Sequence, residues 1–248
     1  MELFDHLVLF CVGAIAGIIG INVGGGGLIT IPGLLFLGLP PTQAIATNQF
    51  ATLGVGTLGW FRFNKLRQID YRLALPFGIF SFLGAILGAR SLLAIPENFV
   101  GKMIAILMLL ILVLLLIKPK IGTTETLEVS FSRKTAGYGF ALGVGFWGAF
   151  FGGGYITFGI YTLVLLFGRT FLQSAAILSV SRVGVSVVSL FIYGQNDIVH
   201  WSLAPVLICG CGLGSYTGAS IAVAKGNTWI RMLLVLVVVC SSMKLLFF

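Results

Sequence analysis

The sequence predicts an all-α integral membrane protein built from two inverted repeats, each a broken-helix hairpin followed by three transmembrane helices. Three observations carry that reading. The chain is 58% hydrophobic and only 9% charged, with a mean hydropathy of +1.09, far outside the range of a soluble domain. Two runs of glycine interrupt apolar segments at matching places in the two halves. Lysine and arginine are distributed unevenly between the loops.

The apolar segments fall, in order, at residues 7–23, 28–39, 42–61, 73–93, 99–117, 137–151, 155–167, 171–193, 201–224 and 229–247. A bilayer crossing needs roughly 20 residues, and the segments that flank the glycine runs are the shorter or more closely coupled ones. The opening MELFDH is acidic and has no basic n-region or A-x-A site, so the first segment is expected to be retained rather than cleaved as a signal peptide. Cys11, Cys209, Cys211 and Cys240 all lie in apolar segments, where a free thiol behaves as a small hydrophobe. The Cys209-x-Cys211 spacing matches no zinc pattern, and an inert role is expected for both. No metal or other cofactor is expected.

GGGLIT at residues 25–30 recurs as GGGYIT at residues 152–157. Further along, Gly38, Gln43, Gly54, Gly84 and Gly88 stand opposite Gly168, Gln173, Gly184, Gly214 and Gly218, each pair 130 positions apart. The chain therefore divides into a first repeat, 1–117, a polar linker, 118–134, and a second repeat, 135–248. If each glycine run turns its two flanking segments into a hairpin that returns to its starting face, three crossings follow, an odd number, and the halves are inverted. Lysine and arginine collect on the cytoplasmic side of membrane proteins. The inverted arrangement sends Arg62, Lys65, Arg67, Arg72, Lys118, Lys120, Arg133, Lys134, Arg169, Lys225 and Arg231 to the cytoplasm and leaves only Arg90, Lys102 and Lys244 outside it. The net charge of +8 is then topology, not a nucleic-acid footprint.

Each glycine inside a helix costs about 1 kcal/mol relative to alanine, and irregular backbone at bilayer depth is tolerated only where it is buried in protein or lines a cavity. Gly25, Gly26 and Gly27, and likewise Gly152, Gly153 and Gly154, are thus expected to break their helices. Each break would release amides at the start of a new half-helix, and two such N-termini meeting at mid-depth would form an anion site. Packing glycines repeat at every fourth position, the pattern of Gly84/Gly88 and Gly214/Gly218, for which close helix contact is the expected role. A dinucleotide-binding loop is excluded, because no strand-turn-helix context surrounds either run.

Arg182 lies halfway along an apolar segment that contains no acidic residue; every Asp and Glu falls at a terminus or in a loop. An arginine at the bilayer centre costs at least about 2.5 to 3.5 kcal/mol unless it meets a partner or water, so an anionic ligand is expected. Ser179, Ser186 and Ser189 share its helix face. Asn48, Gln49, Thr52 and Thr57 form a similar stripe in the first half, with Thr52 the positional mate of Arg182. The competing roles are interhelical hydrogen bonding for the hydroxyls and amides, and snorkelling or backbone capping for Arg182. His6 and His200 read as interfacial surface residues.

The run Gly25-Gly26-Gly27-Leu-Ile-Thr-Ile-Pro32, with its echo at Gly152-Gly153-Gly154, resembles the signature of the TauE/SafE family, the sulfite-exporter-like permeases. The likeness spans essentially the whole chain, although the echo has Gly159 and Ile160 where a proline would stand. It implies a multi-pass carrier of the bacterial inner membrane for small sulfur-containing or organic anions such as sulfite, sulfonates or sulfoacetate. The residues themselves single out Arg182 to neutralise the anion, backbone amides of the two glycine runs to cradle it, and Asn48, Thr52, Ser179 and Ser186 to orient it. A membrane enzyme lacks its chemistry here: there are no paired carboxylates, no metal-ligand cluster and no nucleophile-base set. A non-transporting scaffold would tolerate loss of Arg182.

Overall fold

A computed structural model describes residues 3–116 and 129–247; the linker as far as residue 128, with Lys118 and Lys120, and the side chains of Arg231, Cys240 and Lys244 lie outside the described part. The regular structure of the described residues is all helical: α1 (Leu3–Val23), α2 (Gly27–Phe36), α3 (Pro41–Lys65), α4 (Tyr71–Leu93), α5 (Glu97–Leu116), α6 (Phe131–Phe150), α7 (Tyr155–Phe167), α8 (Phe171–Gly194), a 3-10 turn (Trp201–Leu203) and α9 (Ala204–Phe247). Among the described residues, four helices are long and apolar enough to cross a membrane, by length and composition. The 25-residue α3 is long enough but falls short on hydropathy, because the stripe containing Thr47, Asn48, Gln49 and Thr52 lies along it. Large apolar side chains such as Phe36, Leu75, Ile79, Leu83, Phe140 and Phe191 are exposed around the bundle, as a lipid-facing surface requires.

Both glycine runs do break their helices. Gly24, Gly152 and Gly154 hold left-handed φ angles of 88°, 78° and 79°, a conformation that side chains bearing a Cβ rarely adopt. The helices that follow are short: α2 has 10 residues and α7 has 13. At 1.5 Å per residue they reach about 15 and 20 Å, well short of the roughly 30 Å hydrocarbon core. Each forms the return arm of a hairpin that ends on another left-handed glycine, Gly38 (φ 85°) or Gly168 (φ 67°).

The 130-residue interval reappears in backbone conformation where the side chains differ. Arg67 and Asp197, just past the ends of α3 and α8, are the only non-glycine residues with positive φ among those described, both at 53°. Asp70 and His200 follow as the N-caps of the next helical elements.

Packing between the halves is reciprocal: α1 lies on α9 as α6 lies on α4, α3 lies on α9 as α8 lies on α4, and α3 meets α8. The small-residue rows make the first two contacts. A Cβ at Gly84 or Gly88 would sit 1.9 or 2.1 Å from the carbonyl oxygen of Leu142 or Phe146 in α6, and one at Gly214 would sit 2.0 Å from that of Ala14 in α1. The central helices run antiparallel. Thr52 Oγ1 is 2.7 Å from Ser186 Oγ, while one turn later in α3 and one turn earlier in α8, Gly56 backs onto Val183.

Candidate functional site

Arg182 sits midway along α8, 3% exposed. Its guanidinium carbon is 5.3 Å from the ring centroid of Tyr155, the first residue of α7 and therefore fixed by the break at Gly154. The Tyr155 hydroxyl is in turn 2.7 Å from Ser181 Oγ. A desolvated cation–π contact contributes about 2 kcal/mol. Even so, Nε and Nη1 of Arg182 have no hydrogen-bond partner, and each buried unsatisfied donor costs about 1 to 3 kcal/mol, more when charged. Tyr155 alone does not account for a cation here, and neither snorkelling nor carbonyl capping describes these two nitrogens.

Beside Arg182 is a small cavity also lined by Gly26, Gly27, Thr30, Asn48 and Thr52, with about 10 Å³ open to the centre of a water molecule, space for about one water. Asn48 is fully buried. Its Oδ1 accepts a hydrogen bond from Thr30 Oγ1, and its Nδ2 has no partner. The Thr52 hydroxyl lies within hydrogen-bond distance of Ser186 Oγ and of Gln49 Oε1 at 2.9 Å, which ties α3 to α8 beside the cavity. Gln49 Nε2 donates to the carbonyls of Gly148 and Ala149 at 3.2 and 3.1 Å, capping the broken end of α6.

The two glycine runs meet tip to tip. Gly154 N donates to Gly24 O at 3.3 Å, and Thr157 Oγ1 donates to Val23 O at 2.7 Å. A Cβ on Gly27 would lie 2.7 Å from Gly153 Cα. The runs therefore carry close backbone approach as well as the break. Gly26 and Gly27 reach the cavity, whereas Gly25, Gly152, Gly153 and Gly154 are not among its lining residues. Gly152 instead abuts Asn48, whose Nδ2 stands 2.7 Å from where a Cβ would be. Among the amides suggested as a cradle, that of Leu28 donates to Gly25 O at 3.1 Å and that of Gly154 to Gly24 O. Ser179 and Ser189 donate within α8 to Ala176 O and Val185 O, both at 2.7 Å.

Sequence reasoning passed over three lining or supporting groups. Cys211 faces the cavity and is buried, while Cys209 is exposed; two residues apart on one helix, only one of them can point inward. The Tyr155 ring was likewise unforeseen. Thr30 had a usable signal, since it is the threonine shared by GGGLIT and GGGYIT, and both hydroxyls lie within hydrogen-bond distance of main-chain carbonyls at the breaks.

The profile of the sulfite exporter TauE/SafE family matches residues 9–245. The chain belongs to that family. Among similar sequences, a "probable membrane transporter protein" of Haemophilus influenzae is 31% identical over 240 residues, covering 97% of this chain and 94% of its own. The Escherichia coli K12 "probable membrane transporter protein YfcA" is 30% identical over 263 residues, covering 100% and 95%. The Bacillus subtilis "probable membrane transporter protein YunE" is 28% identical, covering 98% of each chain. No solved structure matches the chain.

Proposed function

We propose that the protein is a secondary transporter of the bacterial inner membrane that moves a small anion of the sulfite, sulfonate or sulfoacetate class by alternating access between two inverted repeats, residues 1–117 and 135–248, joined on the cytoplasmic side by 118–134. The observation that carries this reading is Arg182: a buried guanidinium with two unpartnered nitrogens, Nε and Nη1, in a membrane interior that holds no carboxylate. Arg182 supplies the charge, Asn48 Nδ2 a further donor, and Thr52 with Ser186 a hinge point between the central helices. The relatives, themselves probable membrane transporters by name, and the family membership support transport. The antiparallel contact of α3 with α8 and the reciprocal packing of the halves support inversion. In the present conformation the cavity is narrow, with about 10 Å³ open to the centre of a water molecule, so a polyatomic anion enters only when the hairpin tips and central helices separate.

The test is flux into proteoliposomes of purified protein, measured for sulfite, sulfonates, carboxylates and sulfate, with Arg182→Ala alongside. Uptake of one or more of these anions that Arg182→Ala abolishes is expected. Absence of flux for every anion, or flux indifferent to Arg182→Ala, would overturn the assignment.

A further inference from the structure

Resting on the transport reading, we infer that the protein is an exchanger whose counter-ion is a monatomic monovalent anion of the chloride class, held at Arg182 in the narrow cavity of the present conformation. Three features identify the ion. First, charge: one buried guanidinium faces the cavity, and no Asp or Glu lies in any membrane segment, so a single negative charge neutralises the site. Second, hydrogen-bond polarity: the buried unpartnered atoms on the lining residues are Nε and Nη1 of Arg182 and Nδ2 of Asn48, all N–H donors. Of the side-chain acceptors nearby, Asn48 Oδ1 is taken by Thr30, and Thr52 Oγ1, which donates to Gln49 Oε1, lies within hydrogen-bond distance of Ser186 Oγ. A water would bring two hydrogens that need acceptors, whereas a halide only accepts. Third, size: about 10 Å³ suits one water-sized particle and not an oxyanion of four or more heavy atoms.

Exchange follows from the cost of moving Arg182 through the closed state alone. An unpaired arginine at the bilayer centre carries a penalty that, entered into the barrier, slows the empty return roughly a hundredfold. A halide returning in place of the exported or imported anion removes that penalty, because the ion binds only where the cation is. The small anion is thus the partner that resets the carrier.

Self-exchange of radiolabelled chloride tests this without knowledge of the organic substrate. Proteoliposomes loaded with labelled chloride are diluted into external chloride or external gluconate, with potassium and valinomycin clamping the potential. Efflux at least tenfold faster into chloride, and absent with Arg182→Ala, is expected. Equal efflux into both media, or no Arg182-dependent chloride movement, overturns the exchange mechanism. If sulfite or sulfonate flux persists in that case, the transport reading stands by itself; if no anion moves at all, that reading fails too. Halide binding is read separately by thermal shift: chloride and bromide should raise the Tm of the wild type relative to gluconate. Asn48→Asp, which places a fixed carboxylate beside Arg182 while leaving the arginine intact, should abolish the halide-dependent shift. Retention of the shift in Asn48→Asp would also overturn the proposal.

Discussion

Arg182 is the residue whose energetics make least sense without a ligand, and its substitution divides the structural role from the binding role. Truncation to alanine removes a buried cation whose desolvation is only partly offset by Tyr155, so Arg182→Ala should not lower the Tm of the unliganded protein. The same change should weaken anion affinity at least tenfold, about 1.4 kcal/mol, since charge-assisted hydrogen bonds contribute that much or more. Arg182→Lys keeps the charge but loses the planar fork and should retain partial transport. Thermal shift and anion binding on one preparation decide the matter; a strongly destabilised Arg182→Ala protein with unchanged affinity would make the arginine structural. Arg182 could be picked out from sequence because a charge in an apolar run is anomalous at any depth. Cys211 could not, because its place in the cavity depends on how closely α9 approaches α1, where Gly13 leaves 3.2 Å between its would-be Cβ and the Cys211 Sγ, and an apolar-looking cysteine carries no mark of that. Ser179 shows the converse failure: it shares a helix face with Arg182 in the sequence, yet its hydroxyl is spent on its own helix.

At the scale of the element, α2 contains two glycines that the structure treats differently. A Cβ on Gly27 would press to 2.7 Å against the backbone of Gly153, whereas one on Gly33 meets nothing nearer than Val12 Cγ1 at 3.8 Å. Backbone on both sides of the Gly27 contact leaves no side chain to give way, so Gly27→Ala should destabilise the protein by about 1 to 3 kcal/mol. Gly33→Ala adds a better helix former in ordinary contact and should be neutral or stabilising by up to about 1 kcal/mol. Unfolding temperatures in one detergent compare them, and equal losses for both would show that the tip-to-tip contact is not tight. The breaks themselves were readable, because contiguous glycines suit neither a helix nor a packing stripe. The meeting of the two tips was not, since nothing local to either run reports the other. It follows that large substitutions in the glycine runs disturb backbone packing as well as any bound anion, and smaller changes at Asn48 are cleaner probes of binding.

For the whole molecule, the decisive property is which ends of the helices share a side of the membrane. Arg169 forms an ion pair with Asp70 at 2.8 Å, Leu172 N donates to Asn227 Oδ1 at 2.9 Å, and Arg62 Nε donates to Ser220 Oγ at 2.7 Å. These contacts gather the exits of α3 and α7 and the region near Gly226 at one end. At the other end Thr42 binds Glu97, and His200 N donates to Thr47 Oγ1 at 3.0 Å. The first end carries Arg62, Lys65, Arg67, Arg72, Arg169 and Lys225, whereas the loop at 194–200 has no Lys or Arg. Within the repeated turn, Arg67 on the first end corresponds to Asp197 on the other, both in the same left-handed backbone. Positive charge is retained on the cytoplasmic side, so the first end is expected to face the cytoplasm and the second the periplasm. Asn64 and Asn196 are both exposed and report the two ends. In a background lacking the native cysteines, Asn196→Cys should react with a membrane-impermeant maleimide on intact cells, and Asn64→Cys only after permeabilisation. Strong labelling of Asn64→Cys with none at Asn196→Cys would reverse the orientation. Labelling of both sites from one side would place α3 and α8 exits together and remove the inverted relation of the repeats, on which the proposed alternating access about Arg182 depends.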